Sequence, residues 1–188
     1  MTNVKYDSID DYNCCYTRGD YNAMITAGIS PSKALAELAP RSRDNARTPY
    51  QWNAENHAGF TTGTPWIKVN PRYTEINLES DLAREDSIFK YYRKLIDMRK
   101  SCPAIIEGDL KFYLEGNEKI IAYTRSCGSQ TLLVIANKST EYTSVTLPDD
   151  LSCENAKRLI TNKIDTAPSI TTARAMMPFE VEVYELMR

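Results

Sequence analysis

The sequence is poor in the residue sets that most often announce a chemical function. It holds one histidine, His57, and no Cys/His group at metal-ligand spacing. There is no glycine-rich phosphate loop and no nucleophile elbow. No apolar run approaches the length of a membrane-spanning helix, and the opening "MTNVKYDSID" is too polar for a signal peptide. Basic residues are not in excess: 23 Lys and Arg stand against 25 Asp and Glu, interspersed, for a net charge of -2. Without a basic stripe to neutralise phosphates, nucleic acid is not an expected partner. A membrane, a metal and a cofactor are likewise not expected. The five cysteines, Cys14, Cys15, Cys102, Cys127 and Cys153, are odd in number and scattered apart from one adjacent pair. That pattern is not a disulfide framework. It predicts a reducing, cytoplasmic setting, with Cys14 and Cys15 as free thiols on a local turn.

What is present describes a folded chain. At 188 residues, 42% hydrophobic and 26% charged, it holds one ordinary domain, or a small domain with a piece of another. The pattern changes near Pro103. Before it, helix signals alternate with long loops. "ISPSKALAELAP" offers Ser30 as an N-cap, Pro31 at the first helical position and Pro40 as a stop. "GDYNAMITAG" predicts a helix from Asp20 to Gly28. The strongest helix is "EDSIFKYYRKLIDMRKS", with Asp86 as the expected cap. Ile88, Tyr92, Leu95, Ile96 and Arg99 fall on one stripe, with Phe89 at its edge. Between the short helices and this one run roughly forty residues without regular periodicity. Trp52, Phe60, Trp66 and Ile67 argue against disorder there.

After Pro103 the pattern is antiparallel β. "DLKFYLEGNEKIIAYTRS" carries two β-rich runs around Gly116-Asn117, a hairpin signal. "CGSQ" turns the chain again, and the continuous apolar run of "TLLVIANKS" predicts a central strand. "YTSVTL", "AKRLIT" and "FEVEVYELM" follow. In the last, Phe179, Val181 and Val183 alternate with Glu180 and Glu182, which predicts one buried and one wet face. Such short strands without helices predict a small β-sandwich. Tyr113, Tyr123 and Tyr184 read as core-edge residues in it.

One segment stands apart: "RSRDNARTPYQWNAENHAGFTTGTPW", Arg41 to Trp66. Arg43 and Arg47 lie four residues apart around Asp44-Asn45. Their guanidinium forks never lose their charge and can bridge neighbouring sugar hydroxyls or hold a carboxylate. Tyr and Trp faces stack on the C–H surfaces of pyranose rings, so a polyhydroxylated ligand would use both. The same residues also make a surface ion network, with the tryptophans as packing anchors. The residues by themselves leave both readings open.

"RDNARTPYQW" and "NHAGFTTGTPWIKVNP", taken together, resemble the oligo-1,6-glucosidase and α-glucosidase subgroup of the α-amylase superfamily of glycoside hydrolases. "MTNVKYDSIDDY" looks like the segment after the last barrel strand of those enzymes. "EINLESDLAREDSIFKYYRKLIDMRK" looks like the stretch leading into their final barrel helix, and "LLVIANKS" and "MPFEVEVYEL" like strands of their C-terminal β-domain. Tyr50 departs from the family, which more often has Met or Phe there, and residues 13–40 are its least familiar part. The resemblance implies an α+β chain. Residues 1–103 would be the helical and loop remnant at the C-terminal end of a (β/α)₈ barrel, and residues 104–188 an all-β antiparallel sandwich. Arg43 and Arg47 would match substrate-binding arginines of the loop after the eighth barrel strand, which line a cleft for short α-glucosides.

A retaining glycosidase needs two carboxyl groups about 5 Å apart across the scissile bond. In that family the nucleophilic Asp, the acid/base Glu and a stabilising Asp lie on earlier barrel strands, so the resemblance implies that this chain begins after all of them. The local carboxylates do not replace them. Asp44 sits between two arginines, which does not suit an acid, while Glu75, Asp81 and Glu85 read as solvated positions before a helix. The expectation is therefore the C-terminal portion of a retaining α-glucosidase, without catalytic residues of its own and inactive alone. It could self-associate through a surface that faces a barrel. The alternative is a non-catalytic carbohydrate-binding or structural module.

Overall fold

The computed structural model describes residues 2–151, 156–163 and 173–187. The chain gathers into two units, Met1–Phe89 and Lys90–Arg188. Cys153 lies outside the described residues.

The first unit contains helices α1 (Cys15–Thr26), α2 (Pro31–Leu38) and α3 (Leu78–Leu82), and the start of α4 (Ile88–Ser101), joined by single turns of 3₁₀ helix. As the sequence predicts, α2 has Ser30 at its N-cap and Pro31 at its first position, and Pro40 falls in the short turn that closes it. By contrast, α1 begins at Cys15 rather than at Asp20, with Gly19 inside it, and Gly28 follows at φ 82°. Its start is set from a distance: the N–H groups of Asn13 and Cys14 donate to the Asp44 carboxylate at 2.7 and 2.9 Å. The core of this unit gathers Val4, Tyr6, Tyr12, Leu35 and Ala39. Tyr6 and Tyr12 meet edge to face at 5.1 Å. The Tyr6 hydroxyl donates to the Lys68 carbonyl. Burial, then the nearby Asp44, Asp11 and Tyr12, push its pKa up to about 12, so it keeps its proton.

The cap of α4 is not Asp86, which instead pairs with Arg84. Asp81 performs that task. Its carboxylate accepts from the Ile88 and Phe89 N–H groups at 3.0 Å each and from the Ser87 hydroxyl at 2.7 Å. A carboxylate that satisfies two of the orphan donors of a helix start is not a solvated bystander, contrary to the expectation for Asp81.

The second unit holds the rest of α4, α5 (Pro103–Ile106), and strands β1 (Asp109–Tyr113), β2 (Ile120–Cys127), β3 (Gln130–Asn137), β4 (Thr143–Thr146), β5 (Ala156–Thr161), β6 (Ala173–Met176) and β7 (Val181–Leu186). Five strands form an antiparallel sheet in the order β1-β2-β3-β7-β5, and β4 pairs with β6. The hairpin at Gly116-Asn117 and the turn after Cys127 fall where the sequence places them, with Gly116 and Gly128 at positive φ. β3 is central, and its unbroken apolar run serves two cores. Leu133 and Ile135 join Ile120 and Tyr184 on the face that meets Val145, Leu147 and Met176. Leu132 points the other way, to Val183, Ile160, Cys102 and Ala104, where Tyr91, Leu95 and Met98 of α4 pack.

Two patterning expectations are corrected. Glu180 and Glu182 are wholly buried, whereas Phe179 is 53% exposed at φ 55°. Both faces of β7 are covered, so the face carrying Glu182 and Tyr184 holds its charges inside with partners. Arg174 of β6 pairs with Glu180 at 3.1 Å and with Glu182, and donates to the Tyr184 hydroxyl at 3.0 Å. On α4 the face that packs is Tyr91, Leu95 and Met98, while Ile88, Tyr92 and Ile96 of the expected stripe are exposed. No helix among the described residues is long and apolar enough to cross a membrane.

Candidate functional site

The arginine segment folds as one tight turn, Arg43–Ala46, whose N-cap is Ser42. The Ser42 hydroxyl accepts from the Asp44 N–H at 3.3 Å, and the Asp44 carbonyl accepts from the N–H groups of Arg47 and Thr48. This winding sends Asp44 inward and both arginines outward. Asp44 is fully buried, whereas Arg47 keeps 43% of its side chain exposed. Oδ2 of Asp44 takes the two N–H groups at the start of α1. Oδ1 has no hydrogen-bond partner, its nearest cation being Arg47 Nη1 at 3.9 Å. Arg43 lies over the Tyr16 ring, with Cζ 4.7 Å from the centroid. Tyr16 itself is 63% exposed. Sequence reasoning missed Tyr16, because nothing in the local pattern links the first turn of α1 to the arginine turn.

The stretch that follows is ordered by backbone bonds rather than by regular structure. The N–H groups of Leu78 and Glu79 donate to the carbonyls of Gln51 and Trp52, and those of Trp52 and Asn53 to the Ala58 carbonyl. To place that carbonyl, His57, Ala58 and Gly59 all adopt left-handed conformations, at φ 52°, 60° and 64°. Each non-glycine residue there costs about 1–2 kcal/mol. Ile67 is the buried anchor of the segment. Trp52, Phe60 and Trp66 are about half or more exposed, so the packing-anchor reading does not describe the tryptophans. Trp52 meets Tyr50 edge-on at 4.7 Å, and the Trp66 carbonyl accepts from the Asn13 side-chain amide. An open depression of about 800 Å³ is lined by Glu55, Asn56, Gly59, Phe60, Thr61 and Thr62; neither arginine lines it.

The chemistry available at the turn is recognition. Among the described residues neither guanidinium donates a hydrogen bond within the chain. The adjacent carboxylate is fully buried, with Oδ2 taken by two backbone N–H groups and Oδ1 shut off from solvent, so it does not present itself to a ligand. Among the described residues no cluster of three or more His, Cys, Asp or Glu side chains is placed to hold a metal ion. Cys14 is buried and Cys15 exposed at the start of α1; both are free thiols.

The chain matches the family model of the alpha amylase catalytic domain over residues 1–108, and that of the maltogenic amylase C-terminal domain over residues 110–185. It is 42% identical over 190 positions to an oligo-1,6-glucosidase of Bacillus cereus, an alignment covering 99% of this chain and 33% of that protein. To a trehalose-6-phosphate hydrolase of Bacillus subtilis it is 38% identical, covering 100% of this chain and 34% of that one. The solved trehalose-6-phosphate hydrolase of Bacillus licheniformis superposes with a TM-score of 0.89 at 40% identity, over 100% of this chain and 34% of that structure. The chain thus spans about a third of the length of these relatives.

Proposed function

This chain belongs to the α-amylase family, and from that premise we propose that it is the C-terminal portion of a retaining α-glucosidase acting on short oligosaccharides of the isomalto kind. In this reading residues 1–103 complete the catalytic barrel, residues 104–188 form the stabilising β-domain, and Arg43 and Arg47 are one wall of the sugar-binding cleft. The observation that carries it is the winding of residues 42–48, which buries Asp44 and leaves both arginines exposed, Arg43 over the exposed Tyr16 ring. Forks and flat rings are what a polyhydroxylated ligand uses. The reacting carboxylates belong to polypeptide outside these residues, and the chain by itself does not turn over substrate.

The test is hydrolysis of a chromogenic α-glucoside by the chain alone, and by the chain joined to the preceding two thirds of the Bacillus cereus relative. We expect none from the first and turnover from the second. Arg43→Ala or Arg47→Ala should lower that turnover about ten- to a hundredfold, the worth of a lost charge-assisted hydrogen bond. Turnover by the chain alone that Arg43→Ala abolishes overturns the proposal.

A depression of about 310 Å³ in the second unit, lined in part by Asp109, Lys111, Tyr113, Thr124 and Ser126, favours a second reading as a carbohydrate-binding module. Isomaltose binding by the 188-residue chain that survives Arg43→Ala but not Lys111→Ala would select it.

A further inference from the structure

We propose that Tyr16 is a positioning residue for Arg43: its ring carries the guanidinium and sets the direction in which the N–H fork faces. The consequence for binding rests on the sugar-cleft reading above; the geometry does not. Three contacts lock the first turn of α1 to the arginine turn. The Asn13 and Cys14 N–H groups donate to Asp44 Oδ2 at 2.7 and 2.9 Å, and the buried Thr17 hydroxyl donates to the buried Ser42 hydroxyl at 3.1 Å. Residues on either side of Tyr16 are thereby bonded to residues on either side of Arg43. The Arg43 guanidinium is brought over the Tyr16 ring, with Cζ 4.7 Å from its centroid, by long-range folding and not by local sequence.

This arrangement suits presentation rather than packing. The ring is 63% exposed, so it adds little to the core of the unit. A cation over a ring gives its flat side to the π face and keeps its in-plane N–H groups for other partners. A free arginine loses rotamer freedom when it grips a ligand, and a stacked one has lost part of it already. The tyrosine hydroxyl has no part in this, so the role belongs to the ring.

The test uses the 188-residue chain and NMR of the Arg43 side chain, whose Hδ and Hε resonances a stacked ring shifts upfield. Tyr16→Leu should return them toward exposed-arginine positions with the amide spectrum otherwise kept, and Tyr16→Phe should leave them shifted. Titration with isomaltose, read on the same resonances, should give equal affinities for the parent and Tyr16→Phe, and about threefold weaker binding for Tyr16→Leu. In an Arg43→Ala background, followed by the neighbouring amides, Tyr16→Leu should add nothing. The proposal is overturned if Tyr16→Leu leaves the Arg43 resonances in place, if Tyr16→Phe behaves like Tyr16→Leu, or if isomaltose binds Tyr16→Leu as tightly as the parent. If the resonances respond as expected but isomaltose shifts nothing in any variant, the positioning of Arg43 is supported and the sugar-cleft reading fails.

Discussion

Arg158 of β5 and Glu182 of β7 face one another at 3.2 Å inside the β-domain, with the glutamate side chain wholly shielded from water. Arg174 approaches the same carboxylate from β6. β6 belongs to the small sheet and β5 to the large one, so this one side chain ties the two layers together. A charge in such a place costs much to desolvate, and its partners must offset that cost.

Removing Glu182 should therefore be severe. Glu182→Ala takes the shared carboxylate away from two largely buried guanidinium groups, of which Arg174 keeps Glu180; breaking a buried pair costs up to about 3–5 kcal/mol. Urea unfolding of the 188-residue chain measures it. The exposed pair between Lys119 and Glu141 provides the contrast, because solvent screens it. Glu141→Ala should leave the urea midpoint essentially in place. Equal effects of the two substitutions would remove the interior cluster from the account of this fold.

Asp81 provides the pH-dependent term. Burial pushes its carboxyl up, but the Phe89 N–H, the Ser87 hydroxyl, the Ile88 N–H and Arg84 outweigh that and hold it below the usual carboxylate range. A pKa lower in the folded than in the unfolded chain adds stability above the unfolded value of about 3.9, and that stability is lost as pH falls through the folded one. Asp81→Ala should cost about 1 kcal/mol at neutral pH, as lost helix caps do. The gap from the parent should narrow once pH falls below the unfolded value of about 3.9, and close below the folded one. Asp86→Ala should not reproduce it, and a gap unchanged at low pH would contradict the cap.

The elements legible in the sequence are those whose cause lies within a few residues. Ser30-Pro31 starts α2 because a proline at that position has no N–H to waste. Gly116 turns the first hairpin because its φ of 83° suits a residue without Cβ. The apolar run of β3 stands out because both faces of the strand are covered. What was missed has distant causes. The chain entering α1 is held by Asp44, far along the sequence, through the Asn13 and Cys14 N–H groups. The alternation around Glu180 and Glu182 is that of a half-wet strand until Arg174 is placed over it. β6, only four residues long and itself carrying that arginine, has no pattern of its own. At the candidate site Arg43 and Arg47 drew notice by type and spacing. Tyr16 could not, since only the tertiary fold brings it beneath Arg43.

The left-handed turn gives a sharp local test. Gly59 sits at φ 64°, and a Cβ there would fall 2.5 Å from the Asn53 side-chain oxygen. Gly59→Ala should cost about 1–2 kcal/mol through the backbone conformation alone, with the clash in addition. Gly63→Ala, where a Cβ meets only the Thr61 hydroxyl at 3.7 Å, should be nearly silent. Thermal unfolding of the two variants side by side decides it: matched midpoints would mean that this turn relaxes at no cost.

The exposed side of α4 leads to the last prediction. Ile88, Tyr92 and Ile96 are 69%, 62% and 51% exposed, and their spacing of four places them in one row along the helix. Single apolar side chains on a surface are ordinary, whereas a contiguous row is a patch of the kind that promotes association. In the 188-residue chain that face should bind a hydrophobic dye and drive concentration-dependent association in sedimentation velocity. Ile88→Lys with Ile96→Lys should suppress both while leaving the unfolding midpoint nearly unchanged, since neither side chain belongs to the core that α4 makes with the sheet. Leu95→Ala, on the packed face, should do the reverse and lower stability by about 2 kcal/mol without reducing association. If the parent chain sediments as a monomer at every concentration and binds no dye, the row is covered within the chain and α4 offers no docking face.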